Sequence, residues 1–148
     1  MKKTWFFIFT ILLLAAFALA ACGGGASVAT QPQGTPVPTP PAQYAGKTNP
    51  MAGDQAAIDA GKQIFETNCT SCHGTDAKGD GPAAASLNPK PADLADLESG
   101  FSDAYLFWRI SEGGAMPPFN SQMPTWKNIL SEDQIWQVIS YLRTFNKQ

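Results

Sequence analysis

The stretch CTSCH, residues 69–73, decides how this 148-residue chain folds. Two thiols three positions apart, followed directly by an imidazole, match the C-x-x-C-H signature of covalent haem attachment. One helical turn presents Cys69 and Cys72 to the same edge of a porphyrin, so both can form thioethers with its vinyl groups. His73 then falls beneath the iron as its proximal ligand. We therefore predict one covalently attached haem c.

Two other kinds of site use cysteines at this spacing. A thioredoxin-like redox site expects a βαβ context, whereas the sequence after His73 is rich in Gly, Pro and Ala and has no β-branched run typical of a strand. A structural zinc site needs four ligands, and here only Cys69, Cys72 and the single histidine are at hand. The motif therefore favours haem over both alternatives.

Residues 1–21 have the pattern of a secretory signal peptide. Lys2 and Lys3 precede an apolar stretch that is shorter than the roughly 20 residues of a membrane-spanning helix. The small residues before Cys22 resemble a bacterial lipobox, in which the cysteine becomes the lipid-modified first residue of the mature chain. The sequence thus predicts lipid anchoring through Cys22, at the extracytoplasmic face of a bacterial membrane or in the periplasm. An ordinary signal peptide with a chance cysteine is the alternative.

The rest of the chain divides into a linker and one domain. Residues 22–53 are dense in Gly, Pro, Thr and Gln and poor in large apolar groups. Such a segment cannot bury enough surface to offset its ordering entropy, so we predict a disordered linker. Residues 54–148 are enough for one small domain with a marginal core, which a haem would complete.

Apolar residues at helical spacing predict helices over 54–68, 93–98, 102–112 and 131–146. Ser131 and Gln134 form a capping box at the start of the last helix. Trp136 lies beside the apolar stripe of that helix and is predicted to be in the core. No segment has the pattern of a strand, so the predicted fold class is all-α.

The order of these elements resembles that of a class I monohaem cytochrome c. A helix, CTSCHG, an MP motif and the terminal LSEDQIWQVISYLRTF carry the likeness, in particular to the bacterial group with MPxW before the last helix. The resemblance implies a small fold of three to five helices around a covalently attached haem, here preceded by a disordered tether. It also implies that the first and last helices cross, with Gly61 and Phe65 packing on Tyr141 or Leu142.

A methionine thioether is the usual distal ligand of an electron-transfer haem of this type. Met116 and Met123 compete for this position, and both are followed by proline. In the family that the chain resembles, the ligand lies about seven or eight residues before the terminal helix, which favours Met123 with Met116 as the alternative. Met1 would be removed with the signal peptide, and Met51 is in the predicted linker.

Weaker signals concern the surroundings of the haem. The resemblance suggests that a proline carbonyl in the loop after the motif accepts the second ring proton of His73. The candidates for this carbonyl are Pro82, Pro89 and Pro91. Three side chains could hydrogen-bond the haem propionates, although each of them is more often a packing residue: Trp126, Trp108 and Arg109.

The charge of the chain limits its partners. The formal net charge is -2, and removal of Lys2 and Lys3 with the signal peptide leaves -4. An acidic carrier docks on basic or neutral surfaces, and no basic patch for nucleic acid is present. We expect an electron-transfer protein, not an enzyme and without a small-molecule substrate. Its redox protein partners would be a quinol-oxidising complex or other donor and a terminal oxidase or reductase as acceptor.

Two further hypotheses remain open at this stage. The chain could be a fixed haem c subunit of a multi-subunit respiratory complex, in which case the linker would be partly ordered against its neighbours. A five-coordinate haem would instead make it a gas sensor or a peroxidase-like enzyme. The single histidine counts against the latter, because no second imidazole remains to act as a distal acid or base.

Overall fold

Four α-helices and one short 3₁₀ helix make up the regular structure of residues 37–96 and 101–145, the parts of the chain that the computed structural model describes. The elements in chain order are α1 (Gln55–Asn68), α2 (Thr70–His73), the 3₁₀ helix (Ala84–Ser86), α3 (Asp103–Glu112) and α4 (Glu132–Leu142). These two ranges contain no β-strand. The prediction of an all-α fold is confirmed.

Each of the three longer helices begins directly after a residue whose side chain caps it. Asp54 caps α1 and accepts hydrogen bonds from the backbone N–H groups of Ala56 and Ala57. Ser102 caps α3 in the same way, and Ser131 with Gln134 forms the predicted capping box of α4. Each cap satisfies N–H groups that have no partner within the first turn. None of the helices in the described ranges has the length and apolar character to cross a bilayer.

Two predicted helical segments differ from the structure. Residues 93–96 are not helical, because the Asp93 carboxylate accepts hydrogen bonds from Ala95 and Asp96 N–H, at 2.9 and 3.3 Å, and so competes with helical backbone bonding. Residues 97 and 98 lie outside the described ranges. The last helix ends at Leu142 rather than 146, with Arg143 as its C-cap. The single turn α2 was not predicted as a separate helix.

The close contact between α1 and α4 confirms that these helices pack together, with Phe65 on Tyr141 as predicted, whereas Gly61 meets Gln137 and not Tyr141 or Leu142. Gly61 on α1 lies against the backbone of Gln137, and a Cβ atom at position 61 would overlap the Gln137 carbonyl. One turn further along, the rings of Phe65 and Tyr141 pack with their centroids 5.5 Å apart. Only glycine allows the two backbones to come this close. Position 61 thus sets the distance between the two helices.

Aromatic side chains join α4 to α3 in the core. The centroids of Phe107 on α3 and Trp136 on α4 are 4.3 Å apart, which is within the range of favourable aromatic pairs. Trp136 is buried, as predicted. Ile135 and Ile139 are almost fully buried beside it. Because α4 contacts α1 and α3 through different residues, it lies at the centre of the domain.

Residues 44–51, which we call the N-terminal strap, pack on the domain although they were predicted as part of a disordered linker. Tyr44 is buried, with its ring centroid 6.2 Å from that of Phe107. Asn49 is also buried; its side chain donates to the Trp136 carbonyl at 3.2 Å and to Ser140 Oγ at 2.8 Å. A segment with few apolar residues is held here by one aromatic ring and a buried amide.

The compact unit accordingly begins at Val37 and not at Asp54. The prediction of a disordered linker over 22–53 is wrong for the strap. Residues 22–36 of the predicted linker lie outside the described residues, as does the predicted signal peptide. Met51, set aside above as a linker residue, packs against the hydrophobic core.

Gly61→Ala should lower the free energy of unfolding of the haem-loaded chain by about 1–3 kcal/mol, because the new methyl group must displace the backbone of α4. Urea unfolding monitored by circular dichroism would measure the change. Gln63→Ala, at an exposed site on the same helix, should stay within about 0.5 kcal/mol of the wild type. Equal stabilities for the two variants would contradict the role assigned to Gly61.

Candidate functional site

The CTSCH motif follows directly from the end of α1. Cys69 is the C-cap of α1, and residues 70–73 form the single turn α2. The N–H groups of Cys72 and His73 both donate to the Cys69 carbonyl, at 3.2 and 2.9 Å. The two thiols therefore lie one turn apart, as predicted. They are not joined in a disulfide.

The His73 imidazole is oriented by a backbone carbonyl. Its Nδ1 lies 3.2 Å from the carbonyl oxygen of Ala92. The acceptor is therefore not a proline carbonyl, and the proposals of Pro82, Pro89 and Pro91 are wrong. Pro91 is adjacent to the actual acceptor, but its own carbonyl faces Gly79 so closely that a Cβ there would overlap it. The carbonyl of the next residue, Ala92, also lies near Gly79 and is the one within hydrogen-bond distance of the imidazole.

The environment of His73 favours its neutral form. Burial lowers the pKa of the imidazole, and the hydrogen bond to Ala92 opposes this only in part. With the Nδ1 proton donated to a carbonyl, Nε2 keeps its lone pair. A neutral imidazole held by a carbonyl in this way is the usual state of a metal-ligating histidine.

Beside the motif lies an apolar cleft to which all four helices or their flanking residues contribute. Its walls are formed by Phe65, Cys69, His73, Leu94, Ile110, Met123, Trp126, Leu130, Val138 and Leu142. The space not filled by protein atoms is about 350 Å³, including some that is open to solvent. Mostly apolar walls with few polar groups are typical of cofactor sites.

Met123 lines this cleft and Met116 does not. Met116 packs against the core from another part of the loop, where its carbonyl accepts hydrogen bonds from Phe119 and Asn120 N–H at 3.0 and 3.1 Å. The structure therefore brings His73 and Met123 to the same cleft, although they are 50 positions apart in the sequence.

The end of α3 holds the loop that carries Met123. Gly114 N–H donates to the Met123 carbonyl at 2.9 Å, and Trp126 N–H donates to the carbonyls of Ile110 and Ser111, both at 3.2 Å. The last carbonyls of a helix have no partner inside it, and here the loop supplies their donors. Gly113 makes the turn possible with φ of 72°. The Met123 loop thus follows α3 as an extension of its end.

Of the three side chains considered for the haem propionates, Trp126 alone lines the cleft. Trp108 is buried, with its ring edge against Phe119, and has a packing role. The Arg109 guanidinium lies 3.4 Å from the Phe119 ring centroid, and its buried Nη1 has no hydrogen-bond partner. Desolvation lowers the pKa of Arg109. The residue as a whole is half-buried, and the stacking of its guanidinium on Phe119 gives it a packing role.

These residues fit a haem c. The Cys69 thiol, the His73 imidazole and the Met123 thioether line one apolar cleft, and the unpaired Cys72 thiol lies one helical turn from Cys69. Burial, and to a lesser extent Cys72, raises the pKa of Cys69 to about 11, so its thiol stays protonated at neutral pH. This is the opposite of the lowered pKa of a redox-active thiolate.

Sequence reasoning missed three features of the site. Ala92 was not identified, because alanine has no side chain that signals the direction of its carbonyl. Leu94 and Leu130 were not recognised as cleft residues; in the structure both lie in loops, whose path the sequence pattern does not give. The position of Leu130 in the sequence could have indicated its role, because it is the last residue of the apolar-ended TWKNIL segment between the MP motif and the last helix.

The cytochrome c family model matches residues 58–146. Curated relatives include the cbb3-type cytochrome c oxidase subunit CcoP of Rhodobacter capsulatus, 36% identical over 69% of this chain and 34% of that protein. Cytochrome c550 of Pseudomonas aeruginosa is 30% identical over 64% of this chain and 60% of the other. This chain thus spans only about a third of the length of the oxidase subunits it matches.

Solved structures show the same fold. A chain of the Kuenenia stuttgartiensis reducing HAO-like protein complex aligns with a TM-score of 0.51 and 27% identity, over 62% of this chain and 44% of that one. Cytochrome cL of Methylophaga aminisulfidivorans aligns with a TM-score of 0.52 and 24% identity, over 78% of this chain and 71% of that one. The latter likeness concerns the fold alone.

Gly113→Ala should destabilise the haem-loaded chain by about 1–3 kcal/mol more than Gly46→Ala, as measured by urea unfolding. Both glycines have positive φ, 72° and 77°, so both substitutions strain the backbone. A Cβ at position 113 would lie 2.6 Å from the carbonyl oxygens of Met123 and Pro124, whereas one at position 46 has nothing within 4 Å. An equal loss of stability in both variants would show that the contact of Gly113 with the Met123 loop does not contribute to stability.

Proposed function

The chain belongs to the cytochrome c family and carries a covalently attached haem c, and on this premise we propose that it transfers single electrons with His73 and Met123 as the two axial ligands. The observation that carries the proposal is the cleft that receives both side chains. When bound, the haem iron supplies a one-electron redox couple. The protein's part is to hold both ligands in place, so that little rearrangement accompanies a change of charge.

The motif residues have separate tasks in this proposal. Cys69 and Cys72 would form the two thioether bonds, for which their spacing of one helical turn is suited. The Ala92 carbonyl keeps the His73 ring in one orientation. The apolar walls around Phe65, Val138 and Leu142 keep water away from the cofactor, which raises the reduction potential.

A closed, six-coordinate site would make the protein a carrier and not an enzyme. Catalysis or gas sensing at the iron needs an open position and usually a distal acid or base, for which the single histidine of the chain leaves no imidazole. Met123 would fill the distal position. The charge of -4 after signal removal favours redox partners with a basic or neutral docking surface.

Visible spectra of the full-length protein, expressed with haem-attachment machinery, would test the ligand set. We expect a low-spin haem with the weak ferric sulfur-to-iron band and no response of the reduced form to carbon monoxide. Met123→Ala should abolish the band and open the iron to carbon monoxide, whereas Met116→Ala should retain it. A wild-type haem that binds carbon monoxide would contradict the proposal and favour a sensor or an enzyme.

A fixed subunit of a respiratory complex is the second candidate. It is supported by relatives such as the CcoP oxidase subunit and the cytochrome c subunit of the cytochrome bc1 complex of Mycobacterium bovis, which is 30% identical over 90% of this chain. In either case the proposed donor is a quinol-oxidising complex or a similar membrane-bound protein, and the proposed acceptor is a terminal oxidase or reductase.

We also propose that the protein lies outside the cytoplasm and is held at the membrane by a lipid anchor. The motif around Cys22 supports attachment to the membrane surface through a lipid on this cysteine. Cys22→Ser should move the haem-containing protein from the membrane fraction to the soluble periplasmic fraction or the medium, since one lipid-modified residue would provide the attachment. Ala21→Ser, which keeps the cysteine, is the control. A wild-type protein that washes off the membrane as readily as the Cys22→Ser protein would contradict a lipid anchor at this position.

A further inference from the structure

Glu112 connects the N-terminal strap to the loop that carries Met123. Its carboxylate accepts hydrogen bonds from Lys127 Nζ, at 3.0 Å for Oε1 and 2.8 Å for Oε2. Oε1 also accepts a hydrogen bond from the hydroxyl of Tyr44. Lys127 lies four positions after Met123 and Tyr44 lies in the strap, so one carboxylate joins three segments that are distant in sequence.

Backbone bonds place the carboxylate where it can act on the loop. Glu112 is the last residue of α3, the helix whose end the Met123 loop extends. Its own carbonyl accepts Thr125 Oγ1 at 3.0 Å, and the neighbouring Ser111 carbonyl accepts Lys127 N–H at 3.2 Å. The Lys127 side chain thus adds a charged contact to a loop that is otherwise held by neutral hydrogen bonds.

The surroundings of the carboxylate favour the pair. The Glu112 side chain is 22% exposed and that of Lys127 46%, so the pair is partly shielded from water. Tyr44 is buried, and its hydroxyl donates a hydrogen bond to the Glu112 carboxylate. A charge-assisted contact whose acceptor is already oriented by a buried donor loses less side-chain entropy on forming.

We propose that Glu112, held by Tyr44 and paired with Lys127, is a positioning residue that keeps the Met123 sulfur on the haem iron. This inference rests on the proposed function, since it needs Met123 as the distal ligand. We call the three side chains the Glu112 clamp. Without the clamp the loop leaves the iron more often, and an added ligand that competes with the sulfur binds more tightly.

Imidazole binding to the ferric haem of the full-length protein measures how often the sulfur is displaced. Glu112→Gln and Lys127→Gln should each tighten imidazole binding about fivefold, the upper end expected of a partly exposed ion pair. The double variant should also show about fivefold tightening, because the second substitution removes nothing further. Tyr44→Phe, which leaves the ion pair in place, should change the affinity in the same direction by a smaller factor.

The matched controls are Glu66→Gln and Lys62→Gln, which break an exposed pair with a separation of 3.8 Å on α1. Their imidazole affinities should equal that of the wild type. Adding 1 M NaCl should tighten binding in the wild type toward the value of the double variant and leave the double variant unchanged, because salt screens an ion pair and not a packing contact.

Unchanged affinity in Glu112→Gln would overturn the inference while leaving the carrier function intact. Single effects that multiply to about 25-fold in the double variant would also overturn it, since the two side chains would then act independently. Should Glu112→Gln not fold, Lys127→Gln and Tyr44→Phe answer the same question. A wild-type protein without the sulfur-to-iron band would remove both the proposed ligand set and this inference.

Discussion

The close approach of α1 and α4 at Gly61 positions the whole cleft. Beyond this crossing α1 continues to Cys69 and the CTSCH turn, while α4 supplies Val138 and Leu142 to the opposite wall. Were the helices a side chain further apart, the imidazole would no longer share a cleft with these apolar residues. A missing side chain at position 61 therefore determines where the cofactor lies, although Gly61 itself does not line the cleft.

The position of Met123, on the other side of the site, depends on the end of α3. Helix ends leave carbonyls without partners, and the loop after Gly113 satisfies them with its own N–H groups. Met123 is placed by these bonds and not by any feature of its immediate sequence. The two MP motifs therefore look alike in the sequence, although they lie in different environments in the fold.

Much of the site could be predicted because its signals are local. The C-x-x-C-H spacing and the caps Asp54, Ser102 and Ser131 each depend on a few adjacent residues. The Ala92 carbonyl depends instead on the path of a loop, and it was missed. The strap was missed because composition averages over a segment, whereas a few specific contacts hold it, among them one buried ring and one buried amide.

The strap also changes how far a membrane-attached haem could travel. If the chain is anchored at Cys22 and folded from Val37 onward, 15 residues, 22–36, connect the anchor to the folded domain. Fully extended, they span at most about 54 Å, against about 115 Å for the 32 residues 22–53. The shorter connection would limit the distance of the haem domain from the membrane surface, and a partner would have to present its own redox centre within that distance.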